Sequence, residues 1–163
     1  MRDNFQACLD QILKSEGGWS DDPRDPGGPT MKGITLKTFE DFKDCMMTKE
    51  SLKSISDRDV HDIYKLNYWD AVDADEIVEG ADLLVFDAAV NCGVNRAKVM
   101  AKDVTGSNSY SVEAINDMGA EKFIEAYSQR REEYYKSLKN FAIYGKGWLK
   151  RVEITKQLAT DMA

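Results

Sequence analysis

Residues 16–35 read Glu16-Gly17-Gly18-Trp19-Ser20-Asp21-Asp22-Pro23-Arg24-Asp25-Pro26-Gly27-Gly28-Pro29-Thr30-Met31-Lys32-Gly33-Ile34-Thr35. The stretch is not helical, because proline and glycine interrupt every regular period its other residues would make. Before it, Phe5, Cys8, Leu9, Ile12 and Leu13 recur at helical spacing and give a first helix one apolar stripe. Asp3 is placed to cap that helix and Gly17-Gly18 to stop it. Glu16 then falls in the last turn, where the helix dipole is negative and opposes ionisation. After it, Thr35 is placed to cap a second helix carrying Leu36, Phe39 and Phe42. A helix-end carboxyl thus faces an irregular polar loop that contains a second carboxylate, Asp25, and the hydroxyls of Thr30 and Thr35. Residues 19–35 are expected as turns, with room for a short hairpin.

The rest of the chain reads as helices. Ser56 with Asp59 forms a weak capping box for a third helix through Val60, Ile63 and Tyr64. Residues 82–92, Asp-Leu-Leu-Val-Phe-Asp-Ala-Ala-Val-Asn-Cys, are apolar on nearly every face, as a central helix is. Two polar residues interrupt it, Asp87 and Asn91, four apart and therefore on one face. Asp87 is expected to be a structural partner of an arginine, and Asn91 to be a buried amide that needs partners or lines a cleft. Gly93 ends this helix and Asn95 is placed to cap the next. Ser111 is placed to cap a short helix, and Gly119 leads a longer one through Phe123, Tyr127, Arg131 and Tyr134. A final helix, bearing Trp148, Val152 and Leu158, is expected after a break at Tyr144-Gly145-Lys146-Gly147.

The 163 residues, 42% apolar, suffice for one well-buried core. A net charge of −7 argues against a general nucleic-acid binder. The acidity is uneven: from Lys136 to Lys156 there are six basic side chains and one acidic, a local patch suited to an anionic polymer or simply a solvated helix face. Cys8, Cys45 and Cys92 each lie among apolar residues without metal-ligand spacing, so buried free thiols are expected rather than disulfides. No secretory signal or membrane span is visible. His61 lies among polar residues and is expected to be exposed. With no second histidine, neither a zinc site nor a nucleophilic triad can be built. The Asp21–Asp25 stretch lacks the order of a calcium loop, so no metal or cofactor is expected.

Breaking a glycosidic bond needs a protonated acid at the leaving oxygen and support for an oxocarbenium-like transition state. Glu16 is expected to suit the first task, because a helix end with Trp19 nearby in sequence is a place where a carboxyl can be partly desolvated. Asp25, with Asp21 and Asp22 as competitors, suits activation of a water or support of the developing cation, although Asp-Pro-Gly-Gly is equally a turn sequence. Thr30 is placed to orient a water, and Thr35 to do so or only to cap. For sugar stacking the candidates are Trp19, Tyr68, Trp69, Tyr135 and Trp148, of which Trp19 has the fewest apolar neighbours.

Glu16-Gly17-Gly18-Trp19, the Pro23 to Thr35 pattern, Tyr68-Trp69, the Phe86 to Gly93 segment and Gly147-Trp148-x-x-Arg151-Val152 together resemble the glycoside hydrolase family 108 muramidases, lysozyme-like enzymes common in phages and prophages. The resemblance implies a mainly α, lysozyme-like helical fold with a small loop or β-hairpin region beside the cleft. It implies hydrolysis of the β-1,4 bond between N-acetylmuramic acid and N-acetylglucosamine in bacterial peptidoglycan, with Glu16 as catalytic acid. From the residues themselves, Asp25 and Thr30 are expected to assist, and Trp19, Thr35, Asn91, Tyr68 and Trp148 to bind substrate. Residues 1–94 would form the catalytic region and 95–163 a peptidoglycan-binding-like helical region within the same globular unit. A phage or prophage endolysin would be a monomer without nucleic-acid or stable membrane association. It would be made in the host cytoplasm and delivered to the periplasmic wall by a holin. A lytic transglycosylase, a chitin-directed glycosidase, a non-catalytic wall-binding module and a structural bundle are the competing readings.

Overall fold

The computed structural model describes residues 4–163, among which lie nine α-helices and three two-residue strands. The chain divides into two compact units, residues 5–67 and residues 68–163 with Asn4. The division falls inside a π-helical turn, Lys65–Trp69. Among the described residues no helix is long and apolar enough to cross a membrane.

In the first unit α1 (Phe5–Ser15) buries Phe5, Cys8, Leu9 and Ile12, the stripe its spacing predicts. The expected cap, Asp3, lies outside the described residues. Strands β1 (Trp19–Ser20), β2 (Thr30–Met31) and β3 (Ile34–Thr35) form an antiparallel sheet in that order. Helices α2 (Leu36–Lys43), α3 (Lys49–Lys53) and α4 (Asp57–Tyr64) follow. The hydroxyls of Thr35, Thr48 and Ser56 accept from the amides of Thr38, Ser51 and Asp59, so each helix starts where a short oxygen side chain satisfies an orphan donor. Val60, Ile63 and Tyr64 are buried on α4. His61 differs from expectation: it is half-buried, its ring edge-on to Phe5 at 4.8 Å.

The second unit is built on α5 (Ala81–Cys92), which buries every residue from Ala81 to Ala89. Around it pack α6 (Val94–Thr105), α8 (Ala120–Lys136) and α9 (Phe141–Met162), with α7 (Val112–Met118) against α6 and α8. Ser111 caps α7 as expected. Asn95 does not cap α6. Gly93, at φ 92° and ψ 150°, both ends α5 and begins α6, a conformation that a side chain strains against. The break at Gly145–Gly147 is likewise absent, because α9 runs through it from Phe141. A side chain at Gly145 would run into the Phe141 ring one turn earlier, so glycine here serves close packing within a continuous helix. All three cysteines are free, but only Cys8 is buried; Cys45 is exposed and Cys92 half-buried.

Candidate active site

Glu16 is the first residue past α1, and its amide still bonds the Ile12 carbonyl at 3.2 Å. Its half-buried carboxyl points at the β2–β3 turn. Met31 pairs with Ile34, so the turn is the two residues Lys32 and Gly33, with φ of 51° and 78°. Such a tight hairpin needs left-handed residues, and the second one here must be glycine for a further reason. A methyl at Gly33 would stand 2.9 Å from Glu16 Oε2 and 2.6 Å from Tyr64 Oη. The turn is pinned by α4: Tyr64 Oη donates to the Lys32 carbonyl at 2.6 Å, and Lys32 Nζ pairs with Asp57 at 2.9 Å. The Glu16 carboxyl, the Gly33 backbone and the Tyr64 hydroxyl therefore lie together. Sequence reasoning missed Tyr64, because its place on an apolar stripe reads only as core.

The three loop aspartates are held differently. Asp21 pairs with Lys49 at 3.1 Å and Asp22 with Arg24 at 2.8 Å, a hydrogen bond that holds the Asp22 carboxyl below the usual range. Asp25 accepts from the Gly27 amide at 2.9 Å and is exposed, so it fills the turn role while remaining open to solvent. Across the sheet Trp19 pairs with Met31 and Met31 with Ile34, which is buried. On the other face Ser20, Thr30 and Thr35 make a row of hydroxyls. Thr35 spends its hydroxyl in the α2 cap, donating to Thr38 Oγ1 and accepting from the Thr38 amide. Thr30 has no hydroxyl partner among the described residues. Trp19 is half-buried, with the Lys53 ammonium 5.7 Å from its ring centroid.

The second unit holds Tyr68, Asn91 and Trp148. Of the pair at the π-helical turn, Trp69 is core: it is fully buried, donates to Asp75 at 2.8 Å and meets Phe86 edge-on. Tyr68 is half-buried. Asn91 is exposed, contrary to the expected buried amide, because it lies at the end of α5. Its oxygen is nevertheless fixed from inside. Asp87 is buried and bridges Arg131 at 2.6 Å and Arg151 at 2.8 Å, as its isolation on an apolar helix requires. Burial pushes the Asp87 carboxyl up, but the charges and hydrogen bonds of the two arginines outweigh it and hold the group below the usual carboxylate range.

Arg131 Nε and Nη2 in turn donate to Tyr135 Oη at 3.2 and 3.0 Å. A guanidinium cannot accept, so the single phenolic proton goes to Asn91 Oδ1. That leaves Asn91 Nδ2, on an exposed side chain, a donor without a protein partner among the described residues. Tyr135 itself is buried and unavailable for sugar stacking; burial pushes its hydroxyl's ionisation up, partly offset by Arg131. Trp148, half-buried, stacks on Tyr135 at 5.2 Å and 20°, and the exposed Tyr144 tilts against it at 5.7 Å. Among the described residues no group of three or more His, Cys, Asp or Glu side chains is placed to hold a metal.

The sequence profile of the family described as Glycosyl hydrolase 108 matches residues 9–93, a span that includes Glu16, the loop and Asn91. Among solved structures the chain is similar to that titled "Structure of Brucella abortus SagA", at 31% identity and a TM-score of 0.87, covering 97% of this chain and 94% of that one. No curated protein sequence matches it. The fold is the mainly helical, lysozyme-like one expected from the sequence.

Proposed function

Because the chain belongs to the Glycosyl hydrolase 108 family, and is thus a glycoside hydrolase, we propose that it is an N-acetylmuramidase. Its substrate is peptidoglycan and its target the β-1,4 bond between N-acetylmuramic acid and N-acetylglucosamine. The observation that carries the assignment of the acid is the Glu16 carboxyl, half-buried at the end of α1 against the Gly33 backbone. In this reading Glu16 protonates the leaving oxygen as the sugar gains oxocarbenium character. Thr30, whose hydroxyl is uncommitted, and the solvent-open Asp25 manage the attacking water. Asn91 donates from Nδ2 to a carbonyl of the sugar's N-acetyl group, and Trp19, Tyr68 and Trp148 offer ring faces to the glycan. Thr35 contributes its methyl side, its hydroxyl being engaged in the cap.

Residues 1–94 are assigned to catalysis and 95–163 to wall binding, the basic run between Lys136 and Lys156 supporting the latter. The same reading makes the protein a monomeric endolysin of phage or prophage type. It is made in the host cytoplasm and reaches the periplasmic wall through a holin.

The test is mass spectrometry of soluble products from purified peptidoglycan, comparing wild type with Glu16→Gln. Reducing-end muramic acid from wild type alone is expected. Anhydro ends would reassign the protein to the lytic transglycosylases, and no products from either protein would leave a wall-binding module.

A further inference from the structure

At the start of α6 lies a cavity of about 450 Å³ lined by residues including Cys92, Gly93, Asn95, Arg96, Val99 and Tyr134. Arg96 crosses the face of the Tyr134 ring, its guanidinium carbon 4.9 Å from the centroid. Among the described residues the other arginines of this acidic chain are matched to carboxylates. Arg24 pairs with Asp22, Arg58 with Asp62, Arg130 with Asp103, and Arg131 and Arg151 with Asp87. Among the described residues Arg96 is the arginine with no carboxylate within 4.0 Å.

Contact with the Tyr134 ring restrains the guanidinium, whose planar N–H groups form a fork of donors with no carboxylate partner among the described residues. That fork matches the two oxygens of a carboxylate, and a held guanidinium loses little freedom on binding one. Asn95, on the same wall, adds an amide for a neighbouring polar atom.

The geometry points to a carboxylate-binding subsite at Arg96, with Tyr134 as its platform and Asn95 beside it. The identity of the ligand rests on the peptidoglycan reading above. A peptidoglycan strand presents a carboxylate in two alternative ways. Where the stem peptide is attached, the lactyl carboxyl is an amide and the free carboxylates belong to the peptide. Where the peptide has been removed, the lactyl group itself is the carboxylate. The choice between them decides whether the enzyme prefers peptide-bearing or denuded wall.

The experiment titrates Glu16→Gln protein, expected not to turn over, with three soluble probes by calorimetry. They are a disaccharide carrying its stem peptide, the same disaccharide with the peptide removed, and a chitin disaccharide with no carboxylate. At least one acidic probe is expected to bind tenfold or more tightly than the neutral one, as a charge-assisted hydrogen bond provides. Adding Arg96→Gln should erase that margin, and adding Arg96→Lys should restore only part of it. A margin confined to the peptide-bearing probe assigns the stem; a margin for the denuded probe assigns the lactyl group. Identical affinities with and without Arg96, or an equal loss for all three probes, overturns the subsite. Wild-type turnover is read separately. Turnover without dependence on Arg96 would remove the subsite and keep the glycosidase. Arg96-dependent binding without turnover by wild type would do the reverse.

Discussion

Glu16 leaves the end of α1 and Asn91 stands at the end of α5, yet they are held in place by different physics. Around Glu16 the support is backbone: a two-residue turn of left-handed residues, a glycine with no room for a side chain, and the Tyr64 hydroxyl clamping the turn carbonyl. Around Asn91 the support is charge: a buried carboxylate shared by two arginines, one of which orients Tyr135, which orients the amide. Backbone support is indifferent to protonation and fails through sterics. Charge support tolerates small shape changes but fails when an ion is removed.

The largest effect is expected from removing the ion. Asp87→Ala leaves the buried guanidinium of Arg131 uncompensated and should cost about 3–5 kcal/mol of stability, read as a lowered urea midpoint. A loss below about 1 kcal/mol would mean that the arginines find other partners. The same carboxylate gives the second unit a pH signature. Its native value lies below the unfolded one, so its contribution is present above the unfolded value of about 4. It is lost as pH falls through the depressed native value. Wild-type stability should therefore drop more steeply below about pH 4 than that of Asp87→Asn, which has no such group to protonate. Parallel acid limbs would break the comparison.

Gly33→Ala probes the other kind of support. The new methyl strains a φ of 78° and collides with the Glu16 carboxyl and the Tyr64 hydroxyl, a combined cost of about 2 kcal/mol. Gly28→Ala is the matched control, with a φ of 73° and nothing within 4 Å of its added carbon. Both should lose stability through backbone strain, but only Gly33→Ala should also lose turnover, by displacing Glu16. Equal turnover in the two variants would detach the glycine from the acid.

The contrast also explains what could be read from the amino-acid sequence alone. Thr35, Ser56 and Ser111 were legible as caps because a hydroxyl at an N-cap satisfies a local donor three residues on. That Asp87 needs an arginine was legible too, since a lone carboxylate on an apolar helix must be paired. Which arginines was not, because they lie 44 and 64 residues away. Tyr64 was hidden because its ring is core and only its hydroxyl reaches the site. Gly93 and Gly145 misled in opposite directions: one glycine serves both helices where Asn95 looked like a cap, and the other continues a helix where a break was expected. Cys45, with the neighbouring Met46 93% exposed, shows that apolar neighbours in sequence do not make a core.

The smallest expected effect tests the last link of the charge-held arm. Tyr135→Phe keeps the ring that Trp148 stacks on and removes only the hydroxyl between Arg131 and Asn91. The stability cost should be about 1 kcal/mol, the net worth of a hydrogen bond with its donors left underused. Asn91 would then be free to turn its oxygen outward, losing the donor assigned to the substrate, so KM should rise while kcat changes little. A merely structural tyrosine would lower stability without that split. The double variant settles the order of action. If Tyr135 works through Asn91, adding Tyr135→Phe to Asn91→Ala should raise KM no further, because the amide it orients is already gone. Additive increases would instead give Tyr135 its own contact with the glycan, which its burial opposes.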